Sequence, residues 1–120
     1  MQKELPLIGS VTRPAYTHPA SEMALCTSMT QAAYLAIRHA RLTQDEAAER
    51  LCVTAGYLSM LLTGKRHWSE DKLRRLMTIT GSMAPAQWLC ASVGAALYVD
   101  PVETRKAALR AELRQLEQAA

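Results

Sequence analysis

The sequence predicts an all-α protein. Apolar residues recur at helical spacing over almost the whole chain after Ser21. Capping residues precede these segments, and Gly64, Gly81 and Gly94 fall where helices should end in a left-handed residue. With 49% hydrophobic and 21% charged residues, the chain has enough apolar side chains for a compact core.

The caps define the elements in order. Residues 1–20 contain Pro6, Pro14 and Pro19 and show no helical period, so we expect an extended arm or loop there. Capping-box patterns are formed by Ser28 with Gln31, Thr43 with Glu46, and Asp100 with Glu103. The predicted helices are one that starts at 21–28 and ends at 40, then 43–51, 54–63, 69–80, 84–93 and 101–118.

Residues 42–66, LTQDEAAERLCVTAGYLSMLLTGKR, contain two short helices joined by a turn of about three residues. We expect the core-facing residues to be Ala47, Ala48, Leu51, Leu58, Leu61 and Leu62, with Val53 filling the gap at the turn. Helices this short are unstable alone and must pack on their neighbours. One helix that braces a second, outward-facing helix is the arrangement of a helix-turn-helix.

This segment resembles the phage repressor and Cro-like helix-turn-helix regulators of the xenobiotic-response-element type. The matching residues are Leu42-Thr43-Gln44, Ala48, Leu51, Val53-Thr54, Tyr57-Leu58-Ser59, Leu61 and Gly64-Lys65-Arg66. The resemblance implies a five-helix repressor-like domain at 21–94. The extended N-terminal arm at 1–20 precedes it, and a C-terminal segment at 95–120 carries an extra helix.

The resemblance also implies a function: sequence-specific binding of a double-stranded DNA operator by a repressor-like transcriptional regulator of phage or mobile-element type. The reading helix, 54–63, would enter the major groove. Gln44 would bond a phosphate and brace that helix. The groove-facing positions would be Thr54, Ala55, Gly56, Ser59 and Met60, and the positions along the phosphate backbone Thr63, Lys65 and Arg66.

The sequence departs from the family pattern at several positions. Cys52 stands where Gly is usual in the turn, and we expect it to be a small core residue. Ala55, Gly56 and Met60 offer no side-chain hydrogen bonds, so the bidentate contacts of strong direct readout are missing from the central face. Sequence would then be read through thymine methyls, Thr54, Ser59 and DNA shape, or by an arm that contains Arg13.

The net charge of +3 lies wholly within residues 38–75, where eight basic residues face five acidic ones. A local basic excess suits a polyanionic partner, although an ordinary solvated surface would also carry it. The polar-poor reading face leaves a second hypothesis open, namely a protein–protein interaction module on a helix-turn-helix scaffold that does not bind DNA.

Other function classes find little support. The sequence has no apolar run long enough to cross a membrane and no signal-peptide pattern near Met1. The three cysteines are far apart, which favours a reducing cytoplasm over a disulfide framework. No local spacing suggests a metal site, a nucleophile with its base, a cofactor or a small-molecule ligand, so we expect no enzyme.

The last predicted helix carries a heptad seam at Val102, Lys106, Leu109, Leu113, Leu116 and Ala120. This seam could pair two subunits, as a regulator of a two-fold operator requires, and we therefore expect a homodimer. It could equally lie back on its own domain.

Overall fold

Polar side chains fix where most helices of the chain begin. The computed structural model describes residues 15–119, which form seven helices. They are α1 (Ala20–Met23), α2 (Met29–His39), α3 (Gln44–Leu51), α4 (Ala55–Leu62), α5 (Glu70–Thr80), α6 (Ala84–Ser92) and α7 (Pro101–Ala119). These residues contain no strand, so the all-α prediction is confirmed for them. None of these helices is long and apolar enough to span a membrane.

Side-chain caps account for the starts of α3, α4 and α5, and the box at Thr43 is the predicted one. Thr43 Oγ1 accepts from the Glu46 N–H at 3.1 Å, and the Glu46 carboxylate accepts from the Thr43 N–H at 2.9 Å. The hydroxyl of Thr54 caps α4 and that of Ser69 caps α5, each by accepting an N–H from the third residue of its helix. Each cap satisfies a donor that has no acceptor within its helix.

The first predicted helix needs one correction: its start after Ser28 lies within the predicted range, but the residues before it form a separate short helix. Instead of one helix that starts at 21–28 and ends at 40, the chain forms the four-residue α1, leaves helical geometry and resumes as α2 after Ser28. The Ser28 hydroxyl caps α2, but the amide oxygen of Gln31 accepts from the Thr27 N–H at 2.6 Å. The expected capping box is therefore displaced by one residue.

The core lies where α2 meets the other helices. α2 packs on α4, α5 and α6, so it forms the centre of the domain. The buried core residues are Ala33, Ala36, Ile37, Ala47, Ala48, Leu51, Leu58, Leu61, Leu76 and Ile79. Alanines on α2 and α3 allow the helix axes to approach closely, and leucines from α3, α4 and α5 fill the remaining space.

The segment just before α1 is extended and bound to the domain. The Tyr16 N–H donates to the Gly81 carbonyl at 2.7 Å, and the Met83 N–H donates to the Tyr16 carbonyl at 2.9 Å. His18 is 6% exposed, and its backbone N–H and C=O both bond the side-chain amide of Gln87. The part of the predicted arm that carries Arg13 lies outside the described residues.

The last helix, α7, places two different faces in two different environments. Its half-buried residues are Thr104, Ala108, Ala111, Glu112 and Gln115. Thr104, Ala108 and Ala111 line one wall of a cleft of about 520 Å³, and the other wall includes Met77 and Met83. The predicted heptad seam faces solvent, with Leu109 and Leu113 at 50% and 55% exposure.

The capping box of α3 should make stability depend on pH. Hydrogen bonds from the backbone and then the side chain of Thr43 lower the pKa of the Glu46 carboxyl. A lowered pKa in the folded state stabilises the fold above the pKa of the unfolded chain, and this contribution is lost as pH falls through the folded-state pKa. Glu46→Gln should therefore be less stable than wild type at pH 7.

Thermal unfolding of both proteins between pH 7 and pH 3 measures this effect. The two melting temperatures should converge towards the acidic end of the range. Thr43→Ala, which removes the other half of the box, should cost about 1 kcal/mol at pH 7. A difference between wild type and Glu46→Gln that stays constant with pH would contradict the assignment.

Candidate nucleic-acid interface

The pair α3 and α4, with the turn between them, has the predicted helix-turn-helix geometry. Leu51 of α3 and Leu58 and Leu61 of α4 are at most 2% exposed and lie in one cluster. Val53 in the turn and Leu62 near the end of α4 pack against that cluster as partly buried side chains. The predicted core faces of both helices are confirmed, and the opposite face of α4 is left free.

The turn requires a left-handed residue, and Cys52 provides it. Its φ and ψ angles are 61° and 41°, the conformation that Gly adopts without strain and other residues adopt at a cost. The prediction of a buried Cys52 is wrong, because the side chain is exposed and its Sγ accepts from Arg75 Nη1 at 3.6 Å. A left-handed position turns the side chain out of the core.

The outer face of α4 is open to solvent along its first two turns. Thr54, Ala55, Gly56 and Ser59 are exposed, and Met60 is half-buried. A Cβ built on Gly56 would meet no atom within 4 Å, so packing within the chain does not require glycine there. The surface is therefore smooth and poor in hydrogen-bonding groups, with hydroxyls at Thr54 and Ser59.

The chain leaves α4 through a tight turn that holds Lys65 and Arg66 beside the helix end. Gly64 has a φ of 83°, and the backbone N–H groups of Lys65 and Arg66 both donate to the Met60 carbonyl, at 2.9 and 3.2 Å. Thr63 turns its hydroxyl back to the Ser59 carbonyl at 2.9 Å. Both cationic side chains are exposed, while their backbone is fixed by hydrogen bonds.

Two further cations, which no sequence motif indicated, lie beside the helix-turn-helix. Lys72 of α5 places its Nζ 5.7 Å from the centre of the Tyr57 ring, on which Arg66 also lies, at 5.2 Å. Arg75, one turn further along α5, contacts Cys52 in the turn. Their spacing of three residues puts them on one face of α5. That spacing is visible in the sequence, but whether this face of α5 points towards α4 depends on how α5 packs.

Gln44 occupies the first position of α3 and is exposed. The first N–H groups of a helix have no acceptor within it, so this end of α3 can receive an anion. Asp45 and Glu46 share the same turn and oppose an anion, although the Glu46 carboxylate already bonds the Thr43 N–H. The structure therefore leaves Gln44 available to a partner and sets it beside acidic side chains.

A chain of hydrogen bonds on another side of the domain joins Glu22, His18 and Ser82. His18 Nδ1 lies 2.8 Å from the Glu22 carboxylate, and its Nε2 lies 2.7 Å from Ser82 Oγ. No sequence pattern indicates this arrangement, since the residues are up to 64 positions apart. Ser82 is fully buried and its Oγ accepts the Ala84 N–H, so the group holds the segment before α1 to the start of α6.

The described residues contain no candidate metal site. Within residues 15–119, no three His, Cys, Asp or Glu side chains are grouped as metal ligands would be.

The C-terminal helix leaves α4 uncovered, because its inner face lies along the cleft beside α5 and the start of α6. Within residues 15–119, no other segment covers the predicted reading face.

Residues 35–87 match a protein-family model described as a helix-turn-helix domain. The matched range begins within α2 and ends within α6, so it contains α3, the turn and α4. The match supports a helix-turn-helix regulator and, in general terms, DNA binding as its activity. No curated protein and no solved structure matches the chain.

Cysteine in a left-handed turn should cost stability that glycine would recover. We expect Cys52→Gly to raise the free energy of unfolding by about 0.5–1 kcal/mol, since the relief of strain exceeds the entropy gained by the unfolded chain. Cys52→Ala is the matched control, because it removes the same sulfur and keeps a Cβ at φ 61°. Urea unfolding of the three proteins measures the difference, and equal stability of both variants would contradict the strain argument.

Proposed function

We propose that the chain is a sequence-specific, double-stranded DNA-binding transcriptional regulator of the phage repressor or Cro-like type, acting as a homodimer. In this proposal α4 enters the major groove, and Lys65 and Arg66 bind phosphates at its end. The observation that carries it is the exposed outer face of α4, held by a buried inner face and bordered by fixed cations.

The backbone geometry at the end of α4 supports the proposed phosphate contacts. Lys65 and Arg66 leave a turn whose N–H groups are already bonded to Met60, so their position relative to the helix is set before DNA arrives. Arg66 and Lys72 lie on the Tyr57 ring, which orders two long side chains that would otherwise lose conformational freedom on binding. Preordered cations lose less conformational entropy when they bind phosphates, so more of the free energy of counterion release is retained.

Base recognition would come from a close apolar approach supplemented by two hydroxyls. Ala55, Gly56 and Met60 suit contact with thymine methyl groups, while Ser59 can reach a base edge. Thr54 has a second duty, since its hydroxyl accepts the Tyr57 N–H at 3.1 Å as the cap of α4. Gln44, at the start of α3, and Thr63 complete the proposed contact set along the sugar–phosphate backbone.

Lys72 and Arg75 extend the proposed phosphate contacts to the other side of the turn. A depression of about 450 Å³ opens between Lys72, Tyr57 and the turn residues Cys52 to Thr54. Arg75 is exposed and lies beside the same turn. A phosphate strand that passes this depression would meet cations from α5 as well as from the end of α4.

Replacement of Lys65 and Arg66 by Ala should weaken binding to every DNA sequence. When a phosphate contact is lost, fewer counterions are released on binding. The slope of log K against log salt should therefore fall in magnitude by about one per residue. Arg114→Ala, a neutralised cation on α7, is the matched control and should keep the wild-type slope. Titration by fluorescence anisotropy at several salt concentrations measures both quantities, and an unchanged slope in the Lys65/Arg66 variant would refute this docking.

Gly56→Ala separates a role in DNA contact from a role in folding. Glycine within a helix is less favourable than alanine by about 0.5–1 kcal/mol, and the site has room for a Cβ, so the variant should be more stable. If Gly56 faces DNA closely, the same methyl group should weaken operator binding about tenfold.

Thermal unfolding and a gel shift on sites selected from a random DNA library provide the two measurements. Higher stability with weaker DNA binding is the expected result. Higher stability with full affinity would place Gly56 outside the interface.

A further inference from the structure

The exposed heptad seam of α7 has flanking charges that distinguish between the two possible directions of pairing. Its apolar members Val102, Leu109, Leu113 and Leu116 are between 50% and 65% exposed. The opposite face rests along the cleft beside the domain, and the Gln115 amide oxygen on that face is shielded from solvent. Within residues 15–119 the seam is thus an unpartnered apolar surface, on a helix whose opposite face lines the cleft.

The register assigns each charge to a flank. With Leu109 and Leu116 at d positions and Lys106 and Leu113 at a positions, the e positions hold Glu103, Arg110 and Glu117, and the g positions hold Arg105, Glu112 and Ala119. Lys106 is the polar member of the seam, and its ammonium lies 3.6 Å from the Glu103 carboxylate. Its apolar stem can line the seam while its charge stays at the edge.

A parallel pair of these helices would bring like charges together. In a parallel coiled coil a g residue meets the e residue five positions later in the partner helix. Arg105 would then face Arg110 of the second copy, and Glu112 would face its Glu117. Every flanking contact of this type would be repulsive.

An antiparallel pair reverses the pattern, because g residues then meet g residues and e residues meet e residues. Arg105 of each copy can face Glu112 of the other, and Arg110 can face an e-position glutamate. The two-fold axis makes each contact twice, so the same charges that oppose a parallel pair stabilise an antiparallel one.

We propose that α7 is an antiparallel docking surface for a second copy of this chain, with Arg105–Glu112 contacts between the copies. This inference rests on the homodimer of the proposed function and specifies its geometry. The two-fold axis crosses α7 at right angles, and each domain extends from the face of α7 opposite the seam.

Charge reversal at Arg105 and Glu112 tests the direction of pairing with little effect on the single chain. Neither residue has a charged neighbour three or four positions away on α7, so no pair within the helix is altered. Glu nearer the start of α7 and Arg nearer its end also suit the helix dipole. Gln118→Glu, an exposed position away from the seam, is the matched control.

Sedimentation equilibrium of the full chain at low and high salt gives the dimer dissociation constant. Arg105→Glu and Glu112→Arg should each weaken the dimer about tenfold at low salt, less at high salt. The double variant should return to within about twofold of wild type, as should Gln118→Glu. Circular dichroism checks that each variant keeps its helical content.

Three outcomes would overturn the proposal. Tighter dimers for both single variants, and tighter still for the double variant, would indicate parallel pairing. A dimer that none of the substitutions changes would lie on another surface. A chain that stays monomeric at all concentrations would exclude the interface, while retention of salt-dependent DNA binding by that monomer would leave the role of α4 intact.

Discussion

The burial of the Leu58 and Leu61 side chains, on the inner face of α4, is the contact on which the proposed interface depends. α3 and α4 have eight residues each, and isolated helices of that length are unstable in water. Their stability therefore comes from packing, and loss of one such buried leucine side chain costs about 2–5 kcal/mol. Because the core holds one face of α4, the side chains of the other face have no packing role, although Thr54 also caps the helix.

The charges around α4 arise from segments that only the tertiary structure brings together. Arg66 follows α4 directly, but Lys72 and Arg75 belong to α5, and all of them converge on Tyr57 or on the turn. Tyr57 has its inner edge against the core and its ring beneath two cations. One aromatic side chain thus links the packing of the domain to the arrangement of positive charge beside α4.

Helix positions could be predicted from the sequence because their signals are local. The caps at Thr43, Thr54 and Ser69 each bond within three residues, so the sequence carries the whole interaction. The outward direction of α4 also followed from its apolar period. The exposure of Cys52 could have been inferred from its position where glycine is usual, since a left-handed residue turns its side chain away from the core.

Contacts between distant segments were not predictable in this way. His18 reaches Ser82 across 64 positions, and neither residue lies in a pattern that indicates the other. The break between α1 and α2 was missed for a related reason. Helical period continues through Ala24 to Thr27, but the segment before α1 is tied to Gly81 and Met83, and α2 is fixed by the core. The Ser28 cap that begins α2 is a local signal, whereas tertiary contacts hold the segment before α1.

The two faces of α7 lie in different environments. Small side chains such as Ala108 and Ala111 line the cleft beside the domain, and the same geometry turns Leu109 and Leu113 outward. In the proposed dimer the seam is presented on a helix that has already formed, which lowers the entropy lost on pairing. Since this surface shares no residue with α4, the proposed pairing of two chains and the proposed contact with DNA can be separated by substitution.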